Sequence, residues 1–149
     1  MKSQRFGIEI EMTGLTRRSA ALIIAKHFDT GFRHERGVYD TYSVCDQDGR
    51  KWKIVRDASI TPQCGNRFDY DPDYKVEVVS PICHYEDIET IQSIVRELRR
   101  NGHAKVNESC GIHIHVDASK HTARSLRNIA NIMYSKEDLI FKALKVRPQ

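Results

Sequence analysis

This 149-residue chain has little of what would place it in a disulfide-rich, zinc-knuckle or membrane class. Its four cysteines, Cys45, Cys64, Cys83 and Cys110, are widely spaced with no C-x-x-C pair, so neither a zinc knuckle nor a disulfide framework is signalled and the thiols read as reduced. No apolar run approaches the roughly 18 residues of a membrane span, and the N-terminus lacks the apolar stretch and small-residue cleavage site of a signal peptide. Both absences point to a cytoplasmic protein with no membrane partner. Internal repeats and low-complexity tracts are missing as well. Charge of one sign does not dominate: the formal surplus is +4, and the basic runs at Arg17-Arg18, Lys51 to Arg56, Arg96 to Arg100 and Lys120 to Arg127 read as solvated faces. They support only a weak preference for an anionic ligand.

What is present is an ordinary globular composition, 40% hydrophobic and 30% charged, in a length that suits one domain over residues 1–149 with its own core. Phe6 to Met12 alternates as a strand. Thr16 to His27 reads as a helix with Thr16 as N-cap, and Asp48-Gly49 between Tyr42–Cys45 and Lys51–Val55 predicts a hairpin packed through Val44, Trp52 and Ile54. A polar stretch from Ala58 to Tyr74, with Pro62, Gly65, Asn66 and Pro72, reads as a functional loop. A second helix is expected from Tyr85 to Asn101, with Ile88, Ile91, Val95 and Leu98 on one stripe and Gly102 as C′. Thr122 to Tyr134 repeats the helical pattern, and Ser135 with Asp138 three residues later is expected to open a separate final helix. The order β-α-β-β-β-α-β-α-α, with hairpins and no regular βαβ alternation, predicts an α+β fold with a largely antiparallel sheet and helices on one face.

Three strand-like segments put metal-ligating side chains on alternate positions: Phe6-Gly7-Ile8-Glu9-Ile10-Glu11-Met12, Lys75-Val76-Glu77-Val78-Val79-Ser80-Pro81 and Cys110-Gly111-Ile112-His113-Ile114-His115-Val116-Asp117. Period-2 geometry assigns Phe6, Ile8, Ile10 and Met12 to one face and Glu9 and Glu11 to the other; the same count separates Ile112, Ile114 and Val116, as core, from His113, His115 and Asp117. Glu9 and Glu11 lie roughly 7 Å apart along the strand, a spacing at which each holds one of two neighbouring ions. Carboxylates gathered on one concave face repel unless cations neutralise them. Hard oxygen donors favour magnesium or manganese, and the added imidazoles tilt the set toward manganese or zinc. A bare E-x-E is also common on a solvated sheet face, and paired histidines also occur as hydrogen-bonded surface groups. Asp57, in Asp57-Ala58-Ser59, fits simple turn chemistry equally well.

These four segments, in order and spacing, resemble the motifs of the phage and mobile-element amidoligase family, which is similar in fold to glutamine synthetase and glutamate-cysteine ligase. The resemblance runs from Arg5 to about Arg147. It implies that the sheet is the concave floor of an ATP site, a glutamine-synthetase-like half-funnel, with Glu9, Glu11, Glu77 and His113 as ligands of Mg2+ or Mn2+. It implies further that His115 contacts a nucleotide phosphate and that Asp57 orients the amine or a ligand water, which makes His115 and Asp57 the expected catalytic residues. The implied reaction joins a carboxylate to an amine, from an amino acid or peptide pair, through an acyl phosphate. Members of that family usually continue for about as many residues again, so a half-length domain is expected. Two other readings stand beside this one: a metal hydrolase, from the H-x-H-x-D pattern at His113, His115 and Asp117, and a non-catalytic half-fold that binds a protein or nucleic-acid target such as a host defence component.

Overall fold

The computed structural model describes residues 3–65 and 67–145; Asn66 of the polar stretch and Arg147 at the end of the resemblance lie outside them. The chain divides into two units, Met1–Val116 and Asp117–Gln149. The first contains β1 (Phe6–Met12), α1 (Arg17–His27), β2 (Phe32–Arg36), β3 (Thr41–Cys45), β4 (Lys51–Val55), β5 (Gln63–Cys64), β6 (Arg67–Phe68), β7 (Val76–Val79), α2 (Ile88–Asn101) and β8 (Ile112–Val116). Six of these strands form one sheet in the order β2-β3-β4-β7-β1-β8, antiparallel at every junction, while β5 and β6 make a small separate hairpin inside the polar stretch. The α+β class and antiparallel sheet expected from the sequence are therefore observed.

Thr16 starts α1 as expected: its hydroxyl accepts the Ser19 N–H at 3.2 Å. Small residues on the inner face, Ala20, Ala21 and Ala25 with Ile24, let the helix lie close over β3, β4 and β7. Trp52, Ile54, Val44, Val76, Val78 and Met12 rise from the sheet to meet it. The β3–β4 turn takes its positive φ at Gly49 and is organised by the buried Asp46, whose carboxylate accepts from the Asp48 and Arg50 backbone and from Trp52 Nε1. Arg50 ties that carboxylate to Asp87, at the foot of α2, with a bond of 2.9 Å to each. All four cysteines are free.

Several expectations are corrected. The sequence reading has no strand at Phe32–Arg36, because Arg33-His34-Glu35-Arg36 offers no apolar alternation; β2 is an edge strand, and charged residues are what keep such an edge from pairing with another chain. Arg17, read as part of a solvated run, is buried: its guanidinium bonds Asp40, Asp73 (2.8 Å) and the carbonyls of Pro72 and Lys75 (3.0 Å). The second helix opens with a 3-10 turn at Tyr85–Asp87, and its buried stripe is Ile91, Ile94 and Leu98, with Val95 and Ile88 toward its margin. The apolar residues of β8, expected as core, remain exposed because β8 is the far edge strand, while α1 packs over β2, β3, β4 and β7. In the second unit a single helix, α3 (Ala123–Leu144), replaces the two expected; no Gly or Pro interrupts the run, and Ser135 is accommodated by donating back to the Ile132 carbonyl at 3.2 Å. Among the described residues no helix is long and apolar enough to cross a membrane.

Gly102 is not the left-handed C′ residue that the sequence suggests. Its φ is −99°, and His103 takes the positive φ (58°) instead. Close packing is what excludes a side chain there: a Cβ would sit 2.8 Å from Ile23 Cδ1, Leu15 Cδ1 and the Leu98 carbonyl oxygen. Because one of those atoms is backbone, Gly102→Ala is expected to cost about 1–3 kcal/mol by overpacking, read as a lower urea midpoint at unchanged slope.

Candidate metal centre

Strand register decides which side chains meet. β1 is central to the site: Glu9 faces His113 on β8 and Val79 on β7, Glu11 faces Glu77 on β7, and Gly7 faces His115 on β8. All of these lie on the sheet face opposite the Val76, Val78 and Met12 core, so Glu9, Glu11, Glu77, His113 and His115 share one face, as the alternation requires. Asp57, two residues beyond β4, joins them from the end of its strand. One oxygen of its carboxylate accepts both the Ser59 N–H (2.6 Å) and the Ser59 hydroxyl (2.7 Å), and Lys75 Nζ holds the intervening Ala58 carbonyl at 2.7 Å. The Asp-x-Ser segment is thus a local turn that also delivers a carboxylate to the cluster.

Two triads result. Ligand atoms of Glu9, Glu77 and His113 lie within 4.8 Å of one another, and so do those of Glu11, Asp57 and Glu77. Glu77 belongs to both. Glu9 is held by the two imidazoles, Oε2 lying 3.1 Å from His113 Nδ1 and 3.2 Å from His115 Nε2. His113 Nε2 stands 4.0 Å from Glu11 Oε1, while the other Glu11 oxygen accepts the Gly111 backbone N–H at 2.6 Å. His115, more than half exposed, touches Glu9 and enters neither triad. Asp117 follows the end of β8 and caps a local turn through the Ser119 N–H at 2.9 Å.

The electrostatics follow from this crowding. Burial pushes the Glu77 carboxyl up to about 7, and the neighbouring Glu9, Asp57 and Glu11 charges add to the rise. The His115 hydrogen bond holds Glu9 below the usual carboxylate range, and the Ser59 hydroxyl does the same for Asp57. Glu9 in turn raises the His113 imidazole. Four carboxylates and one imidazole on a partly open face form a hard, oxygen-rich donor set, and Glu77 carries the repulsion that a divalent cation would relieve. The residues present fit Mg2+ or Mn2+.

Two contributions escaped the sequence reading. The Gly111 N–H orients Glu11, and only the pairing of β8 with β1 reveals it. Ser80 clamps β7 to β1, its hydroxyl accepting the Ile8 N–H at 2.9 Å while its own N–H donates to the Ile8 carbonyl at 2.9 Å. Its place in Val78-Val79-Ser80-Pro81 was the one signal that could have pointed to it.

No curated protein and no solved structure gives a significant match to the chain. The model of one protein family, described as "Putative amidoligase enzyme", matches residues 2–149, essentially the whole sequence including every residue of the two triads, and the chain therefore belongs to that amidoligase family.

Proposed function

We propose that the open face of the sheet is an ATP- and divalent-metal-dependent carboxylate–amine ligase site, forming part of a glutamine-synthetase-like concave floor. The observation that carries this reading is the pair of ligand triads sharing Glu77. Glu9, Glu77 and His113 would hold one Mg2+ or Mn2+, and Glu11, Asp57 and Glu77 a second. Bound there, the ions would supply neutralising charge to the transferring phosphoryl group. The chain's own residues have separate tasks. Glu9 fixes both imidazoles, the Gly111 N–H fixes Glu11, and His115, exposed beside Glu9, is placed to donate to a phosphate oxygen. Asp57, held by Ser59, orients the incoming amine. In the reaction a substrate carboxylate oxygen attacks the γ-phosphorus of ATP and ADP leaves. The amine nitrogen then displaces phosphate from the acyl carbon and gives up its proton.

Thermal melting with Mn2+, Mg2+ or chelator tests the reading. At about 100 times Kd, metal should add about 2.7 kcal/mol of stability, and Glu11→Gln or His113→Ala should abolish most of that gain. Metal-dependent phosphate release from ATP, over a panel of amino acids and peptides, should be lost in the same variants. Identical melting of the wild-type chain in metal and in chelator would end the proposal.

A further inference from the structure

The two edges of the six-stranded sheet are unlike. β2 carries Arg33, His34, Glu35 and Arg36, a charged edge that resists pairing, whereas β8 alternates β-branched residues with histidines and has neither Lys nor Pro. Among the described residues no strand lies beyond β8, and Ile112, Ile114 and Val116 are 64%, 63% and 54% exposed. Backbone directions along β8 follow from its pairing with β1. The Glu11 N–H donates to the Gly111 carbonyl at 3.1 Å, so in this register Glu9–His113 and Gly7–His115 are the hydrogen-bonded pairs. Ile8, opposite Ile114, spends its N–H and C=O on Ser80, just past β7. The N–H and C=O groups of Ile112, Ile114 and Val116 therefore point away from β1, to the open edge.

Those groups are a template for one more strand, and β8 itself is a matching one. Ile112-His113-Ile114-His115-Val116 reads almost the same in both directions, with Ile114 at its centre. A two-fold interface requires one patch to complement itself. Antiparallel pairing of β8 with its own copy about Ile114 meets that requirement in backbone and side chains alike. Ile114 exchanges both bonds with its counterpart, and Ile112 exchanges both with Val116 of the partner subunit. Apolar residues then face apolar residues on one side of the sheet, and imidazoles face imidazoles on the other. His113 and His115 of the partner subunit form a non-hydrogen-bonded pair, the closer type, with Cα atoms about 4.5 Å apart. Each copy brings its own Glu9 carboxylate, in contact with both of its imidazoles, which offsets like charge along that row. The near-palindrome favours a second copy over an unrelated strand.

We propose that β8 is a homodimerisation edge: two copies join β8 to β8, antiparallel about Ile114, which fuses the two sheets and sets His115 of the partner subunit beside His113 of the first triad. The seam is short, at the small end of specific interfaces, so a dissociation constant of about 1–100 µM is expected. Sedimentation equilibrium in chelator at pH 8 tests it. Between about 10 and about 500 µM chain, the mass should rise from 17.2 kDa toward twice that value. Ile114→Lys sets like charges directly opposite each other at the two-fold and should hold the chain monomeric, whereas Ile114→Val should still dimerise. Ile114 is exposed, so unchanged melting is expected of both variants. Disulfide cross-linking reads the register, in a background with Cys45, Cys64 and Cys110 replaced by serine. A His113→Cys chain mixed with a His115→Cys chain should form a covalent dimer on oxidation, because their Cα atoms lie opposite each other; either chain alone should form far less, its counterparts being diagonal neighbours roughly 7–8 Å apart. The cross-link carries the test by itself if the lysine variant melts below wild type. A wild-type chain that stays monomeric at the highest concentration, a dimer that survives Ile114→Lys, or cross-linking no better in the mixture than in either chain alone would overturn the proposal.

Discussion

Glu77→Gln should melt several degrees higher than the wild-type chain in chelator at pH 8, and should at the same time lose the stabilisation that Mn2+ gives. The opposite signs come from one cause. In the metal-free fold Glu77 titrates near 7, above the 4.5 of an unperturbed glutamate, so between those values the folded chain holds a proton that the unfolded chain has released. Stability from this group is complete below about pH 4.5, falls as pH rises through that window, and is fully lost above about 7. Allowing for its partial exposure, the ionised carboxylate costs about 1–2 kcal/mol at pH 8, which a neutral amide of the same shape avoids. With metal present the same charge becomes the shared ligand of two triads, and its removal should weaken Mn2+ binding by roughly 100-fold or more, on the order of a lost charged partner. Melting curves from pH 5 to 8, with metal and with chelator, read both effects. A variant no more stable than wild type in chelator at pH 8 would show that Glu77 is not under the repulsion that the geometry indicates, and one that still gains from Mn2+ would show that Glu77 is not the shared ligand.

The largest purely structural loss is expected at Arg17. Arg17→Ala should lower stability by about 2–4 kcal/mol, a fall in melting temperature on the order of 10 °C, independent of metal. The guanidinium is buried and ties together three separate segments: α1 itself, the β2–β3 turn through Asp40, and the 72–75 turn through Asp73 and the Pro72 and Lys75 carbonyls. Truncation takes the guanidinium donor from the half-buried Lys75 carbonyl and from the Pro72 carbonyl, which keeps only the Lys75 N–H at 3.1 Å. Asp40 and Asp73 are partly exposed and regain water, which keeps the loss below that of a fully enclosed pair. A variant with wild-type stability would mean that water replaces the guanidinium at no cost.

Much of the site is legible in the amino-acid sequence, because strand alternation is a local rule. Glu9 and Glu11, and His113 and His115, must share faces once their segments are strands, and each segment carries its own strand signal in β-branched residues and terminal Gly or Pro. Asp57 is legible only as part of an ordered motif set; its turn geometry and its place in the cluster are separate facts that the residue types alone do not connect. Elements whose signal is not local are missed or misdrawn. β2 exists because β3 offers it a partner, in spite of its charged sequence. Arg17 looks like any surface arginine until two aspartates from distant turns close over it.

By itself the sequence determined the fold class, the faces of the three ligand-bearing strands, the capped start of α1 and the family, since each rests on periodicity, capping chemistry or ordered motifs within short windows of chain. Only the tertiary structure decided register, and register did the rest: pairing Glu11 with Glu77 and Glu9 with His113 turns separate side chains into two triads sharing one carboxylate. A slip of one residue would have sent either partner to the core face. That choice is made by long-range hydrogen bonds such as the Ser80–Ile8 clamp, whose partners are 72 residues apart, and by the α1 core beneath the sheet.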